Sequence, residues 1–442
     1  MNTTLASFNT HPALAVPLVT FGGEITAASG AGLIATLPRA SIGDVCTIQT
    51  ADGQLIPGQV IGFQTEKFML SPFRNPSGIY PGSRVTVSRR PLTVPVGSEL
   101  LGRVIDALGA PIDEGFVGEA THPIPKRRRQ VHTSPPEPMS RPCIDTPLTT
   151  GIRSIDGFTT LGRGQRIGIF ASAGVGKSTL LGMLTRNTEA DVIVVALVGE
   201  RGREVREFVE DTLGPQAMRR TVLVVATSDQ PSLQRQLAPF TATTIAEYFR
   251  DQGKNVLLIV DSLTRTARAI RETSLAAGEL PVRHGYTPSV YTELPKLVER
   301  AGTSPHGTIT ALYTVLTNED GDVDPLADEI KSLLDGHIVL SKDVIARGIR
   351  PAVDIGKSVS RLMGKLHSKE YLAAASAVIS GYTRLEKERF TVLLGGTPDD
   401  TLQKLLDAET TLVQFLSQSH EPPHAIEKTR EQVMTLARLI KN

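Results

Sequence analysis

The chain has 442 residues, enough for about two to four domains and a sizeable core. Its 47 Lys and Arg against 46 Asp and Glu leave a net charge of +1, which excludes a broadly basic protein drawn to nucleic acid or to a membrane surface. The chain does not open on a basic segment followed by an apolar block, and no apolar run reaches the roughly 18 residues of a membrane span. A soluble protein is expected, reaching a membrane only through partners. Two cysteines, Cys46 and Cys143, stand far apart in no metal-like spacing, which fits a reducing cytoplasm.

Residues 1–18 read as a flexible lead. From Pro17 to Ser88, short β-type runs with glycine punctuation follow one another: 19–21, 32–37, 44–48, 59–63 and 84–88. Close spacing of such strands predicts a small closed barrel. Small barrels often bind oligonucleotides, but base-stacking aromatics interleaved with Lys and Arg are sparse here, so an oligomerisation collar is expected instead, and no nucleic acid. Residues 119–147 are proline-rich and include Lys126, Arg127, Arg128 and Arg129, which reads as an extended surface connection with a solvated charged face. From Gly151 onward, β-type runs (191–198, 221–226, 255–260 and 308–316) alternate with helical stretches such as 204–213 and 242–251. That alternation predicts a parallel sheet between helices, with ligands at the carboxyl ends of the strands. From about Ser368 the chain turns helical, broken at Gly395-Gly396 and Pro422-Pro423.

The segment from Ile167 to Leu181 combines an apolar strand, a turn of small residues and an amphipathic helix opening at Lys177. This is the context of a phosphate-binding loop, whose backbone N–H groups must fold inward around an anion at a helix N-terminus. Ala173, Gly174, Val175, Gly176, Lys177, Ser178 and Thr179 form the candidate loop. Lys177 would meet the β- and γ-phosphates, and Ser178 would offer its hydroxyl to Mg2+. One position departs from the general pattern, with Ala171 where the first glycine is usual. The run from Asn255 to Asp261 is an apolar strand ending in a carboxylate that would hold Mg2+ together with Ser178. Glu200 directly follows another apolar strand, where a carboxylate can align an attacking water or, alternatively, cap the next helix. Arg361 ends the run Pro351 to Arg361, where a planar cation can neutralise transition-state charge or serve as a structural ion-pair partner.

Together, Gly174-Val-Gly-Lys-Ser178, Gly199-Glu-Arg-Gly-Arg-Glu-Val205, Asp261-Ser-Leu-Thr-Arg265 and Ser358-Val-Ser-Arg361 resemble the catalytic subunits of rotary ATPases. Longer stretches (150–156, 164–174, 271–278 and 334–341) narrow the resemblance to the type III protein secretion ATPases, with the flagellar export ATPase nearest. It is dense from about Leu100 to Met363. The resemblance implies an α/β protein of three parts: an N-terminal β-barrel collar over 1–89, a RecA-like P-loop ATPase domain over 90–365, and a C-terminal helical domain over 366–442. It also implies ATP and Mg2+ as ligands and a homohexamer with nucleotide sites between subunits. By the same match, Lys177, Glu200 and Asp261 act from one subunit, Arg201 and Arg265 lie near the phosphates, and Arg361 reaches the neighbour's site. Such enzymes sit at the cytoplasmic base of a secretion apparatus, peripheral to the inner membrane. Their partners are a stator protein, a central stalk protein, chaperone–effector complexes and the export gate; they release chaperones and unfold cargo.

The residue before Pro351 is usually an aromatic that stacks on adenine in catalytic relatives; here it is Arg350, as in non-catalytic ring subunits, and its guanidinium can stack on a base. Phe415 is a candidate for the adenine pocket, with a core position on its helix as the alternative. A silent nucleotide-binding ring subunit and a flagellar export ATPase are the alternative readings. Glu200 argues against the first, because silent relatives replace that carboxylate.

Overall fold

The computed structural model describes residues 21–29, 32–88, 90–113, 123–317, 325–394, 396–419 and 424–441. The expected lead over 1–18, the first two residues of the 19–21 run, and the breaks at Gly395 and Pro422-Pro423 lie outside the described residues.

Six strands, Phe21–Ser29, Gly32–Thr36, Val45–Gln49, Leu55–Gln64, Lys67–Pro72 and Arg84–Val87, close into a barrel. Alternation drives it: Cys46 and Ile48 point inward with Leu33, Val60, Leu70 and Val85, while their neighbours face out. Burial pushes the Cys46 thiol up to about 12, so this cysteine is a packing group. Lys67–Pro72 is a strand beyond those expected. It returns from Leu55–Gln64 through Thr65 and Glu66 alone, with Thr65 at φ 57°, so no glycine or proline marks the turn in the sequence.

In the connection to the next layer, Lys126, Arg127 and Arg128 are exposed, as a solvated charged face requires, while Arg129 is half-buried. Arg128–Gln130 pairs antiparallel with Thr93–Pro95. Arg129 Nη1 lies 2.8 Å from Asp251 Oδ2, and the Arg127 and Arg129 guanidiniums stand 5.3 and 5.4 Å from the Tyr248 ring centre. Arg129 is thus held by a carboxylate and an aromatic face that are remote in sequence, and Arg128 donates to Thr93.

The central sheet runs in the order Val359–Ser360, Gly336–Leu340, Arg166–Ala171, Thr308–Leu316, Asn255–Asp261, Val192–Val198, Thr221–Ala226 and Val104–Asp106. Every neighbouring pair in this order is parallel except the first. Both faces are covered, which is why Val192–Val198 is buried at every residue and reads as a continuous apolar run. Ile193, Val195 and Leu197 pack on the face of helix Lys177–Asn187, with Leu180, Leu181 and Leu184. Val192, Val194 and Ala196 meet Leu233, Leu237 and Phe240 of helix Ser232–Arg250 on the other. That second helix starts well before the expected Ala242, because Pro239 inside it reads as a breaker in sequence. The expected helix over 204–213 is an α-helix, Gly202–Glu207, continued by a π-helical turn, Phe208–Leu213.

Helices Lys369–Leu393, Asp400–Leu416 and Ile426–Lys441 pack on the short helix Arg153–Phe158. Tyr371 donates its hydroxyl to Gly157 O at 2.9 Å, and Gln418 bridges Gly151 O and Arg153 N. Among the described residues no helix is long and apolar enough to cross a membrane.

Candidate active site

The phosphate loop leaves the carboxyl end of strand Arg166–Ala171 and enters helix Lys177–Asn187. Gly174 and Gly176 adopt φ of 79° and 81°, the left-handed region that disfavours any side chain, although nothing crowds a Cβ there. The requirement is conformational, not spatial. Ala171 is the last strand residue, paired with Leu316 and Leu340, with ordinary strand backbone and 1 % exposure. Alanine therefore fits where glycine is usual. Ala173, Ser178 and Thr179 face solvent around the loop, while Val175 anchors it in the core.

Four charged side chains converge behind the loop. Lys177 Nζ lies 2.5 Å from Asp261 Oδ1 and 3.7 Å from Glu200 Oε1; Arg265 Nη1 lies 3.2 Å from Glu200 Oε2. Parallel packing of the strands that end at Asp261 and Val198 brings the two carboxylates together, since Leu197 pairs with Asp261. Gly199, at φ 69°, turns the chain sharply after its strand, and Arg265 passes over it: a Cβ there would meet Arg265 Cδ at 2.9 Å. Arg265 also donates to Gly199 O. Arg265 rides on helix Leu263–Ala276, capped by the Ser262 hydroxyl, which accepts from Arg265 N.

Burial pushes the Glu200 carboxyl up to about 7, helped by a hydrogen bond with Glu204 and by the charge of Asp261, and opposed by Lys177 and Arg265. The same hydrogen bond holds Glu204 below the usual carboxylate range. A carboxyl poised near neutrality beside two cations at the mouth of a phosphate loop is suited to handling a proton or a water.

Other expected residues lie elsewhere. The Arg201 side chain is 75 % exposed and 3.7 Å from Glu204, outside the converging cluster. Arg350 is exposed beside the carboxyl end of strand Gly336–Leu340, the end that also carries the loop; Gln418 N donates to its carbonyl at 2.7 Å. Phe415 is a core residue, 6 % exposed, with its ring 5.8 Å from Phe158 and the Arg153 guanidinium 5.7 Å from its centre. Arg361 is exposed at the opposite end of the sheet: it follows strand Val359–Ser360, Ser360 pairs with Gly336 at the start of its strand, and Arg361 N donates to Asp335 O. Two functional neighbours went unread in the sequence. Glu204 lies one helical turn after Glu200, and Thr314, in the middle of an apolar strand, donates to Asp261 Oδ1 at 2.7 Å.

Residues 151–360 match the model of the ATP synthase alpha/beta family, nucleotide-binding domain. The chain is 46 % identical to the flagellum-specific ATP synthase of Bacillus subtilis (strain 168) over 397 residues, 89 % of this chain and 90 % of that protein. It is 44 % identical to a type 3 secretion system ATPase of Xanthomonas euvesicatoria over 414 residues, 92 % of each chain. The structure of the assembled ATPase EscN, in complex with its central stalk EscO, from the enteropathogenic E. coli type III secretion system superposes with a TM-score of 0.85 at 43 % identity, covering 94 % of this chain and 100 % of that one. The barrel, the nucleotide-binding sheet and the C-terminal helices thus recur in a relative of the same kind, and this chain belongs to the type III secretion and flagellar export ATPases of the ATP synthase alpha/beta family.

Proposed function

We propose that the chain works as one subunit of a homohexameric ring that hydrolyses ATP at the cytoplasmic base of a type III secretion apparatus, peripheral to the inner membrane. In this reading it rides on a central stalk protein, is held by a stator protein, and presents chaperone–effector complexes, stripped and unfolded, to the export gate. Support for the stalk is the EscN–EscO complex of the relative. The observation that carries the catalytic part is the convergence of Lys177, Asp261, Glu200 and Arg265 behind the loop.

In this reading Lys177 exchanges Asp261 for the phosphates, and Arg265 holds Glu200 toward the position of the attacking water. Arg201 remains at the rim, and Arg361 completes the site of a neighbouring subunit. Arg350 stacks on the base at the loop end of the sheet, with Phe415 supporting that region from the core. The hard oxygen donors fit Mg2+: the Asp261 carboxylate already faces one cationic group at 2.5 Å, and the Ser178 hydroxyl opens the helix beside it. Ser178 and Asp261 would hold the ion, which would neutralise phosphate charge. The domain division at 89/90 and 365/366 is part of the same proposal. A flagellar export role is the second reading, favoured by the 46 % identity to the Bacillus subtilis relative.

The test pairs two variants. Lys177→Ala is expected to weaken nucleotide binding measured with a fluorescent ADP analogue. Glu200→Gln is expected to bind nucleotide like the parent while losing about 10²–10⁴-fold in turnover. Parental hydrolysis by Glu200→Gln removes the water-directing role.

A further inference from the structure

Two donors reach the same oxygen of Asp261, and they differ in kind. Lys177 Nζ approaches Oδ1 at 2.5 Å from the end of a flexible four-carbon stem. Thr314 Oγ1 donates to Oδ1 at 2.7 Å from the middle of strand Thr308–Leu316, with no solvent exposure. That strand lies between the phosphate-loop strand and the Asp261 strand; Thr314 pairs with Ile169 on one side, and its preceding residue Tyr313 pairs with Val260 on the other. Its β-branched side chain has few rotamers in such a setting. No described residue donates to Asp261 Oδ2. Asp261 is itself 4 % exposed, so a carboxylate left with fewer donors would be costly.

We propose that Thr314 is a positioning residue of the reaction: its fixed hydroxyl keeps Oδ1 satisfied and the Asp261 carboxylate in one orientation when Lys177 leaves for the phosphates. Oδ2 is thereby kept for the metal side of the site. The inference rests on the reading of Asp261 as a Mg2+-holding group. Thr314 touches no reacting atom and acts through Asp261 alone.

The experiment measures binding of a fluorescent ADP analogue to the full chain as Mg2+ is titrated, and again without Mg2+. Thr314→Val is expected to raise the Mg2+ concentration at half-maximal binding about tenfold, as loss of a hydrogen bond to a charged group implies, and to leave Mg2+-free binding within about twofold. Thr314→Ser, which keeps the hydroxyl, is expected to stay within about threefold of the parent. In the Asp261→Asn background, Thr314→Val is expected to add nothing further, because the two changes share one interaction. A parental Mg2+ midpoint in Thr314→Val, an equal defect in Thr314→Ser, or additive effects in the double variant overturns the inference. A parental midpoint in Asp261→Asn overturns instead the metal reading on which it stands. Should Thr314→Val not fold, Thr314→Ala carries the same expectations, with its urea midpoint reporting packing separately.

Discussion

The two ends of the central sheet carry the same kinds of charged residues in opposite arrangements. At the carboxyl end, Lys177, Asp261, Glu200 and Arg265 face a glycine-rich loop, and Glu200 is held away from its ordinary ionisation. At the amino end, Arg166 binds Asp335 at 3.2 Å and Glu299 at 2.5 Å in a closed set of ion pairs, and Arg361 stands exposed beside it. The five-residue strand Gly336–Leu340 separates the two, about 15 Å at roughly 3.3 Å per residue. In the proposed reaction the first set would be rearranged by a ligand, and the second would stay as folded. In the proposed ring, a single chain would hold most of one site and, at its far end, offer Arg361 to another.

The strongest way to break that comparison is to remove the far cation. Arg361→Ala is expected to lower turnover about 10³–10⁵-fold while leaving nucleotide binding to each subunit intact, since an arginine supplied from a neighbour acts on transition-state charge. Parental specific activity should also rise with protein concentration as rings form. Full activity of a verified monomer, followed by light scattering during turnover, would place the whole site in one chain.

A second test sharpens the description of the carboxyl end. Glu200 must be ionised to accept a proton, and its carboxyl lies near 7, raised first by burial. The acid limb of kcat/KM, which reports the free enzyme, is therefore expected close to pH 7, with activity rising as pH increases and falling about tenfold per unit below it. The bond to Glu204 raises Glu200, so Glu204→Gln should move the limb to lower pH. A limb near the ordinary glutamate range in the parent would contradict the raised ionisation.

The smallest effect concerns Arg350, exposed at the loop end. With its guanidinium stacked on the base, Arg350→Ala is expected to weaken ATP binding about three- to tenfold, and Arg350→Tyr to preserve it. Equal calorimetric affinities for the three proteins would show that the side chain does not reach the base.

What the sequence revealed follows from locality. The phosphate loop, the strand ending in Asp261 and the turn at Glu200 are each contiguous, and their chemistry is written in neighbouring residues. One parallel sheet, with Thr308–Leu316 between the phosphate-loop strand and the Asp261 strand, then brings them together, as alternation predicts. The unread features are those in which a residue's meaning lies across the sheet or the surface. Thr314 looks like a polar interruption of an apolar run until the register sets it beside Asp261. Arg129 looks solvated until Asp251 and Tyr248 are brought beneath it. Lys67–Pro72 was hidden because a two-residue turn without glycine joins it to its partner strand. Arg201, adjacent to Glu200 in sequence, points away, because one residue at a strand exit reverses direction.

The closed barrel bears on how subunits join and part. An open sheet presents unpaired backbone donors and acceptors, and a ring built from open sheets could be stitched together by adding strand to strand. Here the first and last barrel strands pair with each other, Phe21 with Val87 and Glu24 with Arg84, so the backbone has no loose margin to lend. In the proposed ring, contacts through the barrel would then be made by side chains between units already folded. Such joints could open and re-form without unravelling either subunit, and among the described residues the barrel itself offers no free strand edge. In the proposed ring, interchangeable parts of this kind would be a practical design.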